Sequence, residues 1–290
     1  NLFKIAAAAA TLRPGRTTLL TEAGNFPTDR HVLDGLARLL PHLQIRAVPP
    51  EDLLAHLDDT TAALLLCHVH YRTGRRHDMA ALSAAAHRAG ALALWDLSHS
   101  AGAIPIALNT HGADMAVGCG YKFLNGGPGA PAFLYIAHQH QAEAATPIQG
   151  WMGHFSPFGF DDVYAQGAGI SRFRSGTPPI LGLAALEAGL TTFLRADPAQ
   201  LWEKSARLFT LFATLADHLE CLTPADPAAR GSHIAFAHPR AETIMAALIA
   251  RGIIGDFRPP NILRFGLTPL YTSHEDIWIA AEALREESQP

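Results

Sequence analysis

Residues 95–129 read WDLSHSAGAIPIALNTHGADMAVGCGYKFLNGGPG, and the organisation of the chain is worked out from them. An apolar run at 91–95 carries Asp96 to its end, and Ser98 and His99 follow at once. After a polar turn, a second apolar run at 115–119 delivers Tyr121 and Lys122 into a glycine-rich loop. Short apolar runs bounded by turn residues are what buried strands of a parallel sheet look like. In open α/β sheets ligands sit beyond the carboxyl ends of the strands. Asp96 and Lys122 stand at two such ends, so a carboxylate and an amine are expected to face one crevice.

That pairing fits pyridoxal phosphate (PLP). The cofactor needs a lysine to hold its aldehyde and an acid facing its pyridine nitrogen, because a protonated ring is the better electron sink. Each residue alone has an ordinary explanation. Asp96 could be a strand-end cap or a salt-bridge partner, and Lys122 a solvated surface lysine. Together on successive strand ends they favour the cofactor without deciding it.

Working outward, the pattern predicts a strand at 17–23 and a loop at 25–29. Phe26 should be held extended there, because it precedes Pro27. An amphipathic helix follows at 31–43, a strand at 62–69, a helix at 78–89 and a strand at 131–136. The histidines of HQHQ at 138–141 read as solvated loop. A long apolar helix runs from Pro178 to 196. Beyond it the pattern changes to alternating short elements: helices at 201–219, 241–251 and 274–287, and strands at 232–237, 253–258 and 262–266. This reads as a second, smaller α+β domain over 197–290, after a large domain over 1–196. Arg264 lies among Ile262, Leu263 and Phe265, where an unpaired arginine is rare. It is either an ion-pair partner of a protein carboxylate or a fork for a ligand's carboxylate.

Composition sets bounds. With 290 residues, 49% hydrophobic and 17% charged, the chain can bury a sizeable core. A net charge of −4 gives no basic footprint for nucleic acid. No apolar run reaches the roughly 18 residues of a membrane span. The cysteines are Cys67, Cys119 and Cys221, an odd number with two inside apolar runs, which suits reduced thiols of a cytosolic enzyme. The 16 histidines include no HExxH or carboxylate-paired spacing, so no metal is expected.

Several stretches resemble kynureninase, a PLP-dependent hydrolase of fold type I. They are WDLSHSAGAIPIAL, GADMAVGCGYKFLNGGPGAPAFLY, GWMGH, NFPTD at 25–29, RFRSGTPPILGLAALEAGL from Arg172, and ILRFGLTPLY at 262–271. The resemblance covers nearly the whole chain. Desulfurase relatives usually carry a histidine just before the lysine, where Tyr121 stands here.

The resemblance implies an α/β fold, with a mostly parallel sheet in the large domain. It implies hydrolysis of L-kynurenine, with its 3-hydroxy form as a second possible substrate, to anthranilate and L-alanine in tryptophan catabolism. Lys122 would hold PLP and shuttle the Cα proton, and Asp96 would keep the pyridine nitrogen protonated. Tyr121 would donate a proton in later steps and touch the phosphate. Phe26 would stack on the ring with Pro27, Thr28 and Asp29 nearby, and His99, with Ser98, would support it. Trp151 and Thr177 would reach the neighbouring subunit's cofactor in a homodimer, Trp151 also meeting the substrate. Arg264 would receive the α-carboxylate. Cys67 stands where a hydroxyl residue is expected, which weakens one hydrogen bond. By the same resemblance roughly a hundred residues, with the turn that holds the phosphate, would precede Asn1. A desulfurase or aminotransferase, an inactive PLP-fold protein and a metal hydrolase are the competing readings.

Overall fold

A computed structural model of the chain describes residues 1–289. The first helix, α1 (Leu2–Leu12), buries Ile5 and the five alanines after it, whose small side chains let it lie close to the sheet. Then come β1 (Thr18–Glu22), α2 (Pro27–Leu39), β2 (Gln44–Val48), β3 (Thr61–Cys67), α3 (Met79–Arg88) and β4 (Leu92–Asp96). Next are β5 (Met115–Cys119), β6 (Ala132–Ile136) and α4 (Ile180–Thr191). The rest comprises α5 (Pro198–Leu215), β7 (Glu220–Cys221), β8 (His233–Ala237), α6 (Ala241–Ala250), β9 (Asp256–Arg258), β10 (Ile262–Gly266) and α7 (His274–Ser288).

Two compact units result. One comprises Asn1–His68, Asp78–Ser98 and Ala107–Glu187. The other comprises Val69–His77, His99–Ile106 and the chain from Ala188 onward.

The first unit is built on a sheet of order β2-β1-β3-β4-β5-β6, parallel except for β6, which pairs antiparallel to β5. Strands β1, β3 and β4 are buried along their whole length, and β3 and β4 accordingly read as mostly apolar runs. The chain leaves β1 toward β2 on one side and returns to β3 on the other. The strand order therefore reverses between β1 and β3, and the carboxyl ends there form a switch-point crevice. Within the core, Trp95 donates its indole N–H to Ser83 Oγ at 3.2 Å and takes the His68 ring edge-on at 5.8 Å.

The expected loop at 25–29 is shorter than anticipated. Phe26 is extended, at φ −55° and ψ 128°, as its place before proline requires. Pro27 then opens α2, because its fixed φ suits a first helical turn that has no use for its N–H. Asp29 consequently lies in the helix.

The second unit holds an antiparallel sheet of order β7-β8-β10-β9 under α5, α6 and α7. Phe212 sits at its centre, with ring centroids 5.4 Å from Phe236 and 5.1 Å from Phe265.

Candidate active site

Three elements deliver a cluster to the switch point. Asp29 comes from the first turn of α2, Cys67 ends β3 and Asp96 ends β4, and all three are buried. Cys67 Sγ lies 3.4 Å from Asp29 Oδ2 and 3.5 Å from Asp96 Oδ2. The other oxygen of Asp96 accepts from Ser98, from its N–H at 2.8 Å and its hydroxyl at 2.6 Å. Two carboxylates this close cannot both ionise cheaply. Burial first, and the charge of Asp96 second, push the Asp29 carboxyl up to about 7, against opposing pulls from Cys67 and Lys122. Burial and the same two carboxylates push the Cys67 thiol well up.

The donor atoms of Asp29, Cys67 and Asp96 lie within 4.8 Å of one another, the spacing of a metal site. A thiol must lose its proton to bind a metal, however, and this one is held protonated.

Lys122 arrives from the loop between β5 and β6. Asn125, at φ 60°, turns the chain, and Gly126 N–H closes the loop by donating to Gly120 O at 2.9 Å. A Cβ at Gly120 would stand 2.7 Å from Pro131 O, and one at Gly126 would stand 2.8 Å from Gly120 O. Lys122 Nζ sits 5.9 Å above the Phe26 ring centroid and 5.6 Å from that of Tyr121. Phe26 is fixed from behind: its N–H donates to Asn25 Oδ1 at 2.7 Å, and Asn25 Nδ2 donates to Thr21 Oγ1 at 3.0 Å. The chain's other lysines are committed elsewhere. Lys4 donates to Phe173 O at 2.6 Å and Ser175 Oγ at 2.9 Å, and Lys204 to Pro269 O at 2.7 Å.

Of the residues singled out from the sequence, Phe26, Asp29, Asp96, Tyr121 and Lys122 thus assemble in the first unit. Pro27 and Thr28 are exposed at the start of α2. Ser98 bonds Asp96 Oδ1. His99 belongs to the second unit, edge-on to His233 at 5.7 Å. Trp151 makes its ring contacts with Phe158 at 5.5 Å and Phe160 at 6.2 Å, and Thr177 is exposed. Arg264, in the second unit, has the protein partner that its ordinary reading requires. Its Nε donates to Asp256 Oδ1 at 2.9 Å and its Nη2 to Asp256 Oδ2 at 2.5 Å, while Nη1 donates to Tyr71 O.

Two features escaped sequence reasoning. Asp256 could be found only once the β9–β10 register placed it opposite Arg264. Asp114, ahead of β5, is buried and accepts from Ala93 N–H at 2.8 Å, with His87 Nε2 and His140 Nε2 each 2.7 Å from its oxygens. His140 is therefore not the solvated loop residue that HQHQ suggested, since a buried carboxylate far back in the sequence claims it.

Residues 201–284 match the kynureninase C-terminal domain. The kynureninase of Deinococcus radiodurans is 50% identical over 283 residues, covering 96% of this chain and 69% of that protein. The chain belongs to the kynureninase family. The kynureninase of Pseudomonas fluorescens is 46% identical over 298 residues, covering 99% of this chain and 72% of that protein. Among solved structures, the apo cysteine desulfurase of Thermococcus onnurineus NA1 superposes with a TM-score of 0.82 at 18% identity, over 99% of this chain and 76% of that one. A C-DES variant with glycine covalently linked to its PLP cofactor gives a TM-score of 0.79 at 18% identity, over 97% of this chain and 79% of that one. These structural likenesses establish the fold that kynureninases share with other PLP enzymes of fold type I.

The donor set suits the cofactor of this family, pyridoxal phosphate. Asp96 keeps Oδ1 for Ser98 and turns Oδ2 toward a weak thiol donor, leaving a buried acid able to take a cationic N–H. Phe26 offers a ring face, and Lys122 an amine above it.

Proposed function

We propose that Lys122, Asp96, Asp29, Tyr121 and Phe26 form the catalytic and cofactor-holding group, and that Arg264 binds substrate. The chain hydrolyses L-kynurenine: water adds across the Cβ–Cγ bond, releasing anthranilate and L-alanine. What carries the residue assignment is Lys122 lying over Phe26 beside a buried carboxylate pair while Lys4 and Lys204 are bound to main-chain carbonyls. The chemistry that pyridoxal phosphate supplies when bound is withdrawal of the electron pair left on the substrate into its protonated ring.

In this reading the residues divide the work. Asp96 holds the proton at the pyridine nitrogen, and Asp29 shares its own proton with Asp96. Lys122 holds the cofactor's aldehyde and moves the proton at the substrate Cα. Tyr121 donates a proton in the later steps and reaches the phosphate. Phe26 stacks on the ring, with Pro27 and Thr28 beside it, and His99 supports the cofactor. Arg264 receives the α-carboxylate. Three of its five N–H groups are committed to Asp256 and Tyr71, which leaves two for a ligand. The 3-hydroxylated substrate is included in this reading.

The working form is a homodimer in which Trp151 and Thr177 serve the partner's cofactor and Trp151 meets substrate. Trp151, Phe158 and Phe160 are exposed and in ring contact with one another, an apolar area that a second copy would cover. A reducing, cytosolic setting agrees with three free cysteines. The functional parts divide near residues 196/197.

Borohydride reduction of the PLP-loaded full-length enzyme, followed by peptide mapping, tests the assignment. The cofactor should be fixed on Lys122, and an adduct on Lys4 or Lys204 would overturn it.

A further inference from the structure

Arg264 and Asp256 face each other across the β9–β10 pair, and the carboxylate grips one edge of the guanidinium through Nε and Nη2. Arg264 is nearly buried, with 11% of its side chain exposed, and Tyr71 O accepts one N–H of its Nη1. It cannot swing to meet a ligand, so its free N–H groups have a fixed direction. On charge alone, though, the arrangement is wrong for an anion site. A carboxylate that belongs wholly to Arg264 cancels it, and a neutral pair attracts no substrate carboxylate.

Arg258 changes that balance. It lies two residues from Asp256 on β9, on the same face of the strand. Its Nη2 donates at 2.9 Å to Asp256 Oδ2, the same oxygen that takes Arg264 Nη2. Two guanidinium groups therefore share one carboxylate, and the group of three carries a net charge of +1. We propose that Arg258 and Asp256 are positioning residues of the carboxylate clamp: Asp256 orients Arg264, and Arg258 offsets the charge of Asp256 so that the clamp matches a single carboxylate. The proposal rests on the reading of Arg264 as the substrate's carboxylate receptor. It makes the site selective for amino acids with one free carboxylate, since a second negative charge would find nothing to balance it.

The test uses the PLP-loaded full-length enzyme with kynurenine and, as a competitive probe, kynurenine lacking only its α-carboxylate. Arg258→Gln leaves the Asp256–Arg264 fork intact but brings the group to net zero. KM for kynurenine should rise about tenfold, the equivalent of 1.4 kcal/mol, with kcat within about twofold. Arg258→Lys restores the charge and should recover most of that loss, which a purely structural role for the guanidinium would not allow. Binding of the carboxylate-free probe should be unchanged in both variants. Arg264→Lys separates the two layers of the reading. If it raises KM selectively for kynurenine while Arg258→Gln does not, Arg258 has no part in the clamp and the proposal fails alone. If neither variant alters discrimination between kynurenine and the probe, the assignment of Arg264 fails with it.

Discussion

Replacing Asp29 by Asn should remove a pH dependence that the fold itself creates. The Asp29 carboxyl moves from its ordinary 3.8 to about 7 in the native chain, by burial first and by the charge of Asp96 second. Between those two values the native chain keeps a proton that the unfolded chain has lost, so stability falls as pH rises through the window and levels off above about 7. At about 1.36 kcal/mol per unit, the whole window amounts to about 4 kcal/mol, and the part above pH 5 to roughly 2–3 kcal/mol. Asn imitates the protonated acid in shape and charge and cannot ionise. Urea titrations of the cofactor-free protein at pH 5, 6, 7 and 8 would give both stabilities. The variant should gain on the wild type by roughly 2–3 kcal/mol across that range. PLP should shrink the difference, because a pyridinium proton beside the pair favours the ionised acid. A gap between the two proteins that stays constant from pH 5 to pH 8 would refute the account of the Asp29–Asp96 pair.

Two further outcomes are expected. Asp96→Asn keeps the shape of the site but removes the charge facing the ring nitrogen, so PLP should still bind while kynurenine turnover drops by about two orders of magnitude or more; near-normal turnover would make Asp96 structural. Asp114→Ala strips His87, His140 and the Ala93 N–H of their shared acceptor and should cost about 3–5 kcal/mol in urea denaturation, a loss below about 1 kcal/mol showing the cluster to be incidental.

What could be read from the letters depended on how local its cause was. Strands β5 and β10 begin and end where expected, because an apolar run between turn residues is a local signal. Helix α2 starts four residues before the helix that the periodicity at 31–43 predicts. NFPTD contains a proline, a loop residue by habit, yet proline is also a good first residue of a helix, and only packing decides between the two. Asp96 and Lys122 were legible as strand-end residues. That Cys67 stands between Asp29 and Asp96 was not, since it needs the β1–β3–β4 order. Arg264 carried an even choice between ion pair and ligand fork. Its geometry accommodates both, because Asp256 takes one edge of the guanidinium and leaves another.

The loop carrying Lys122 has a consequence for how such a sequence can drift over evolutionary time. At Gly120 and Gly126 a side chain would run into backbone oxygen atoms, which cannot turn aside as a flexible side chain can. Any larger residue there must displace the loop, and the amine travels with the loop. Selection on the amine's position is thereby converted into selection on two letters that never touch a reacting atom. A lineage can exchange much of its surface and still spell this loop the same way, and so the run around Lys122 remains readable after most of the chain has changed.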